Sequence, residues 1–440
     1  MISPDLLTRR LAVEIFDAVL RHNKGLEDEY SACMERQEQK QPLENRDRTF
    51  VRLLATVMLR RLGQIDDIIG RFLKKPLPDK ACYVQDVLRI GTAQLVFLDT
   101  PAHAAVSTGV SLVKQNREYG GFSALTNAVL RRISREGKQI AQVQDAVKLN
   151  VPSWLYEKWE KEFGKEKARK IAEAGFREAP LDFSVKSDSA VWAEQLQAVE
   201  MPTGTLRRKQ QASVPSLPGF QDGIWWVQDL SAALPARLFH ALAGKKAVDI
   251  CAAPGGKTAQ MIMAGAEVTA VDVSANRIRR LNENLNRLRL NAKTVCADAC
   301  KWWESEGRHQ TKFDAVLLDA PCSATGTLRR HPDVAWHRTP QDIKRLNQMQ
   351  ADLLKTAVDM MTDQGELVYC VCSVLPEEGR LIIDSAVQNG QVERVALTSA
   401  DVPAEMITKD GDLCVLPFFY ESTGGCDGFF AARLKKKGEK

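Results

Sequence analysis

One stretch constrains the fold more than any other. Ala247-Val-Asp-Ile-Cys251 is a short apolar run of buried-strand type, Ala252-Ala-Pro-Gly-Gly-Lys-Thr258 is a glycine-rich turn, and a helical pattern opens near Thr258. From about residue 245 onward, β-rich runs alternate with helical patterns, the signature of a doubly wound α/β domain with a mostly parallel sheet. In such a sheet the chemistry gathers at the carboxyl ends of the strands. The next three strands, Val268–Asp272, Thr294–Asp298 and Asp314–Asp319, each run into an aspartate, and Gly365–Cys372 ends in a cysteine.

Three ligands compete for the turn. Its glycines let backbone approach a ligand, and the helix start offers free N–H groups. A P-loop needs glycine at 251, where Cys251 stands, and Ala252, Pro254 and Lys257 break the Gly-x-Gly-x-x-Gly dinucleotide pattern. S-adenosylmethionine remains. Asp272, about twenty residues after the turn, suits ribose hydroxyls, and Asp298 suits an adenine amino group. A single strand-end aspartate is more often a helix cap. Three in register favour a nucleoside cleft.

Ahead of this region the pattern changes. Leu11, Ile15 and Val19 share one helix face, and Phe50–Leu62 is a second helix closed by Gly63. Further helical stretches are Val87–Leu98, Thr108–Lys114 and Ser123–Ile133, so residues 1–140 read as an all-helical bundle. Its basic residues, Arg52, Arg60, Arg61, Arg71, Lys74, Lys75, Arg131, Arg132, Arg135 and Lys138, are either a solvated face or a phosphate-facing surface. Residues 141–235 are mixed. Within them Lys161–Lys170 reads as a charged helix, and Pro202–Gly219, with Arg207-Arg-Lys209, as a long loop. Residues 236–440 complete the α/β domain.

Composition excludes several classes. Hydrophobic residues at 44% and charged residues at 27% leave no room for wholesale disorder. No apolar run nears the roughly 18–20 residues that span a bilayer, and no signal peptide is evident. The expectation is a cytoplasmic protein with no membrane and no obligate protein partner. Ten cysteines without a Cys-x-x-Cys pair point to reduced thiols and to no metal. A net charge of +5 permits nucleic-acid binding without demanding it.

Two thiols fall at strand ends. Asp319-Ala-Pro-Cys-Ser323 follows the fourth strand, and Cys372-Ser-Val-Leu-Pro-Glu-Glu378 follows the fifth. A lone strand cysteine is usually a small buried hydrophobe. Here the position suits carbon methylation of a pyrimidine, because carbon 5 of cytosine is a poor nucleophile. A thiolate added to carbon 6 makes an enamine that attacks a sulfonium methyl. A carboxylic acid at N3 steadies the adduct. A base then takes the carbon 5 proton and the thiolate leaves. Spacing alone does not say which cysteine adds.

Asp249–Thr258, Asp272 with Arg277, Asp298, Asp319–Thr327, Arg329–Asp333 and Cys372–Glu378 together resemble the RNA 5-methylcytosine methyltransferases of the Sun/Fmu type, which act on 16S ribosomal RNA. The resemblance implies a Rossmann-like class I methyltransferase domain at 236–440, a NusB-like RNA-binding domain at 1–140 and a small linker domain at 141–235. It implies that S-adenosylmethionine is held by Cys251, Ala252, Ala253, Pro254, Gly255, Gly256, Lys257, Asp272, Arg277, Asp298 and Asp319. By the same resemblance Cys372 is the nucleophile, Cys322 assists product release, and Asp319 completes the catalytic set. The implied activity is methyl transfer to carbon 5 of a cytosine in 16S ribosomal RNA, which is flipped out of its stack. Arg329, Arg330, His331 and Arg338 are expected to face that RNA. Transfer RNA or 23S RNA as substrate, or a non-catalytic RNA-binding relic, are the rivals. Three residues depart from the family pattern: Val371 for Thr, Gly379 for Asn, and Cys370 as a third nearby thiol.

Overall fold

The computed structural model describes residues 3–210, 212–307 and 312–437. The chain forms two compact units. Unit 1 comprises residues 1–160, 165–176 and 328–337, and unit 2 comprises 161–164, 177–327 and 338–440.

Unit 1 is helical. Its helices are α1 (Pro4–His22), α2 (Leu26–Glu38), α3 (Asn45–Arg60), α4 (Leu62–Phe72), α5 (Cys82–Phe97), α6 (Ala102–Gln115), α7 (Ser123–Val143), α8 (Ala146–Asn150), α9 (Ser153–Phe163) and α10 (Lys165–Ala174). The apolar spacing seen in α1 buries Leu11, Ile15 and Val19 in one core with Leu54, Met58, Ile65 and Leu130. Such stripes supply most of the stability of an amphipathic helix.

Gly63 does not close a helix. It lies in the first turn of α4, where a Cβ would sit 1.7 Å from the carbonyl oxygen of Leu149. Glycine is there for close approach of α8. The charged stretch 161–170 is not one helix either, because it breaks between α9 and α10 at Gly164, whose φ is +80°.

The basic residues of this unit have varied employment. Arg52 pairs with Glu27, Arg71 with Asp67 and Lys138 with Asp99. Arg61 lies over the rings of Phe97 and Phe176. Lys74, Lys75, Arg131, Arg132 and Arg135 are exposed.

Unit 2 holds two sheets. The smaller has strands β1 (Leu181–Val185), β2 (Val199–Glu200), β3 (Leu206–Arg208) and β4 (Trp225–Val227), in the antiparallel order β2-β3-β1-β4, with α11 (Ser189–Gln195) beside it. Its core is Phe183, Leu196, Leu206 and Trp225. The Pro202–Gly219 stretch is therefore not simply a loop. Arg207 is 1% exposed and grips the carboxylate of Asp182 through two 2.7 Å hydrogen bonds.

The larger sheet contains β5 (Lys246–Ile250), β6 (Glu267–Asp272), β7 (Lys293–Cys296), β8 (Phe313–Asp319), β9 (Met361–Val371), β10 (Val392–Arg394), β11 (Leu413–Val415) and β12 (Phe429–Lys436). The path runs β10-β12-β9-β8-β5-β6-β7, with β11 also on β12. Strands β7, β6, β5, β8 and β9 are parallel, and β12 is antiparallel to β9. Helices α12 (Gly256–Met263), α13 (Ala275–Arg287), α14 (Ala299–Ser305), α16 (Pro340–Met360) and α17 (Arg380–Gln388) follow strands of the sheet, while α15 (Val334–His337) belongs to unit 1. The strand order reverses between β5 and β8, the switch point at which such sheets bind ligands.

The chain leaves unit 2 after Thr327, runs as residues 328–337 in unit 1, and re-enters unit 2 at Arg338. The Arg338 Nε donates back to the Ser323 carbonyl at 3.1 Å and closes the base of this excursion. Within unit 1, Trp336 Nε1 donates to the Leu59 carbonyl at 2.9 Å, and Arg60 donates to the Arg329 carbonyl at 2.8 Å. Arg329 is 2% exposed, so it does not present its side chain to RNA, contrary to the expectation from the motif. Burial of the side chain is the physical reason.

Helix α2 starts at Gly25 with no side-chain cap of its own. Asp333 supplies one from 307 residues away, accepting the Leu26 N–H at 3.2 Å. Asp333→Ala should therefore destabilise the protein by about 1 kcal/mol, the usual cost of losing a cap. Asp333→Asn, which keeps an acceptor oxygen, should cost less. Thermal melts of both variants check the difference.

Candidate active site

The carboxyl ends of β5, β6, β8 and β9 put the sequence motifs on one edge. Past β5, Cys251 takes φ +63° and Gly255 φ +99°, which fold the turn back before α12. Asp272 at the end of β6 is 2% exposed. Its carboxylate accepts the Ala253 N–H at 3.2 Å and the Ser274 N–H at 3.1 Å. Arg277 Nη2 donates to the Ala253 carbonyl at 2.6 Å and lies 3.4 Å from the Asp272 carboxylate. The acid and the arginine thus shape the turn as well as facing the cleft.

That cleft has a volume of about 1120 Å³ and is walled by Cys251, Asp272, Arg277, Asp298 and Pro321 among others. Asp298 also caps α14, accepting the Lys301 N–H at 3.0 Å. Cap and cleft roles coexist because its side chain is exposed. Ala252 and Ala253 face inward and pack with Leu281 and Leu285. Lys257, Asp319 and the two thiols do not line this cleft; Pro321 brings its wall to within one residue of Cys322. Among the described residues no cluster of three or more His, Cys, Asp or Glu is placed to hold a metal ion. No helix among them is long and apolar enough to cross a membrane.

Lys257 Nζ donates to Asp319 Oδ2 at 2.7 Å and lies over the Phe429 ring. Burial opposes its charge, but Asp319 together with Cys370 and Asp249 outweighs that and raises its pKa. Cys370 is buried with its thiol 3.6 Å from Asp319 Oδ1, and burial, then Asp319, push its pKa up. This third thiol thus sits against a carboxylate and keeps its proton.

The two strand-end cysteines meet. Cys322 Sγ and Cys372 Sγ are 3.4 Å apart and both are half-buried. The hydrogen bond with Cys372, and then burial, raise the pKa of Cys322 well above the ordinary thiol value. Backbone bonds stitch the two loops on either side: Ala320 N–H to the Cys370 carbonyl at 2.9 Å, and Gly326 N–H to the Cys372 carbonyl at 3.1 Å.

Sequence reasoning missed the polar residues behind these thiols. Ser323 and Ser373 each follow a cysteine directly, and Glu378 closes the second motif; their hydroxyls and carboxylate join in one buried network. The repeated Cys-Ser pair was the available signal. Gly379 has its own reason, since a Cβ there would lie 2.7 Å from Phe430 Cγ. An asparagine would need that ring to move. Val371 is fully buried in the core on one face of the large sheet.

Asp249, at the centre of β5, is wholly buried. Thr258 Oγ1 donates to its Oδ2 at 2.6 Å, while Oδ1 has no partner. Burial pushes its pKa up to about 7, against the pull of the Thr258 bond. Between the usual carboxylate range, near 4, and about 7, the folded chain keeps a proton that the unfolded chain has lost. Its contribution to stability is whole below that window and is lost as the pH rises through about 7. Asp249→Asn keeps an acceptor for Thr258 and has no proton to lose. Its melting temperature should fall less than the parent's between about pH 5 and about pH 8, as calorimetric scans across that range would show.

Comparisons with known proteins identify the family and the fold. The family model described as 16S rRNA methyltransferase RsmB/F matches residues 238–435, and that of the NusB family matches residues 7–135. Ribosomal RNA small subunit methyltransferase B of Vibrio cholerae is 33% identical, over 90% of this chain and 91% of its own length. The protein of the same name from Pasteurella multocida is 32% identical, over 98% and 96%. Among solved structures, the crystal structure of PH0851 superposes with a TM-score of 0.78 at 22% identity, covering 99% of both chains, and so shares the fold.

Proposed function

The chain belongs to the 16S rRNA methyltransferase RsmB/F family, and we propose that it methylates carbon 5 of a cytosine in 16S ribosomal RNA through a covalent Cys372–cytosine adduct. It is an S-adenosylmethionine-dependent RNA methyltransferase. The observation that carries the finer reading is the pair of thiols, Cys322 and Cys372, 3.4 Å apart on the loops that leave β8 and β9 at the carboxyl edge of the sheet. Nitrogen or oxygen methylation has no use for two converging thiols. Carbon methylation of a pyrimidine needs one to activate the ring.

Cys251, Asp272, Arg277 and Asp298 are the cleft residues that would hold S-adenosylmethionine, and the Gly255-Gly256 turn opens α12 next to Cys251 in the chain. Their carboxylates, cation and free helix N–H groups fit a nucleoside bearing an amino acid. When bound, that group supplies the methyl.

The remaining work falls to the chain. Cys372 as thiolate adds to carbon 6 and loads electron density onto carbon 5. After carbon 5 is methylated its proton leaves to a base, the S–C6 bond breaks, and the thiolate is released. The resemblance to the family leaves Cys322, 3.4 Å from Cys372, for the release step.

Removing an early group should empty the intermediate, and removing a late one should fill it. Cys372→Ala should abolish turnover and form no adduct. Cys322→Ala should transfer the methyl, stall, and accumulate a protein–RNA adduct. Denaturing gels with substrate RNA and methyl donor show the adduct as a retarded band. The opposite pattern would reverse the two roles.

Donor binding has its own test. Asp272→Ala should weaken S-adenosylmethionine binding at least tenfold, since charge-assisted hydrogen bonds contribute roughly 1.5–3 kcal/mol each. Calorimetric titration on a folded variant decides this. Binding within a factor of two of the parent would reject the assignment.

A further inference from the structure

We propose that Glu378 is the positioning residue that sets the gap between the two thiols. The proposal rests on the thiol chemistry above and goes beyond it, because it assigns a residue that touches neither sulfur.

Glu378 is fully buried on the segment between β9 and α17. Its Oε1 accepts the Ser323 backbone N–H at 2.7 Å and Gln350 Nε2 at 3.2 Å. Its Oε2 accepts the Ser373 hydroxyl at 2.6 Å and the Ser323 hydroxyl. Four donors thus converge on one carboxylate. Ser323 is the residue after Cys322 and Ser373 the residue after Cys372, so a single side chain holds both thiol loops from behind.

The direction of the hydroxyl protons makes the clamp specific to a carboxylate. Thr325 Oγ1 lies 3.0 Å from Ser373 Oγ, and the Leu375 N–H donates to that same oxygen at 3.1 Å. Ser373 Oγ is therefore filled as an acceptor and turns its own proton to Glu378. The Ser323 hydroxyl also donates to Glu378 Oε2. A carboxylate has acceptor sites only, enough for all four donors. An amide in its place would set an N–H₂ against two of those donors. Gln350 ties a third part in, since its Nε2 also donates to the Pro321 carbonyl at 2.9 Å, just before Cys322.

The backbone bonds at Ala320 and Gly326 lie on either side of this point and fix the course of the loops. They leave the lateral separation of Cys322 and Cys372 to the side-chain network. Where two reacting groups must sit together, a displacement of about 1 Å can cost on the order of 100-fold in rate. The thiol gap is therefore the quantity that Glu378 controls, and burial keeps water from replacing its bonds.

The test uses the full chain and two readouts. Phenylarsine oxide bridges two thiols that already lie side by side, with loss of water, and reports the gap without any catalysis. Cys322→Ala, which removes one thiol, sets the background. Glu378→Gln, checked for folding by its melt and by parental S-adenosylmethionine binding, should capture the arsenical at least tenfold more weakly. It should also lower kcat by roughly 10–100-fold with little change in KM for RNA. Should Glu378→Gln fail to fold, Ser373→Ala leaves the carboxylate in place, removes one arm of the clamp, and should show a smaller loss in both readouts. Parental capture and parental kcat in a folded variant would overturn the proposal. Weakened capture with parental kcat would leave the clamp standing and overturn the thiol chemistry on which it rests.

Discussion

Parallel pairing of β5 with β8, and of β8 with β9, is the constraint from which the site follows. Ile250 lies opposite Leu318, and Asp319 opposite Cys370, so three strands end at one level. The turn after β5, the Pro-Cys loop after β8 and the cysteine loop after β9 leave the sheet together. A slip of one residue in β9 would turn Cys372 to the other face, since side chains alternate along a strand. Apolar packing on both faces prevents the slip: Val316, Leu318, Leu367 and Tyr369 fill one layer, and Ala315, Leu317, Val368 and Cys370 the other.

The carboxylates at this edge each serve more than one partner. Asp272 holds the turn and walls the cleft. Asp319 holds Lys257 and faces Cys370. Glu378 gathers four donors behind the thiols. Each carboxylate has its donors, which hold it in place. Asp249 is the exception. It has one donor and one orphan oxygen, and its pKa rises to about 7 as a consequence.

The excursion of residues 328–337 gives a methyltransferase motif a structural role in unit 1. Arg329, expected to face RNA, is 2% exposed, and Asp333 is 6% exposed. Their polar atoms serve helix ends and backbone within that unit, where Leu26 and Arg60 are the partners. A basic motif that follows a catalytic motif in sequence is thus not automatically a phosphate contact. Arg207 teaches the same lesson in the small sheet, where Asp182 takes both of its forks.

Local sequence by itself determined the α/β domain, the strand-end acids and the two thiol motifs. Period-two apolar runs, glycine turns and acidic ends are short-range properties, and strands, turns and caps answer to short-range forces. It also determined that the first 140 residues are helical, because the 3.6-residue stripe of α1, α3 and α5 is written in consecutive turns. Tertiary structure alone decided how those pieces serve each other. Gly63 looked like a helix stop, and only the approach of Leu149 shows why it is glycine. The 3.4 Å between Cys322 and Cys372, the four donors on Glu378 and the cap that Asp333 lends to α2 join residues that are distant in the chain. No local pattern encodes such pairings, because they exist only once burial has excluded water and left each polar atom to find its partner inside the fold.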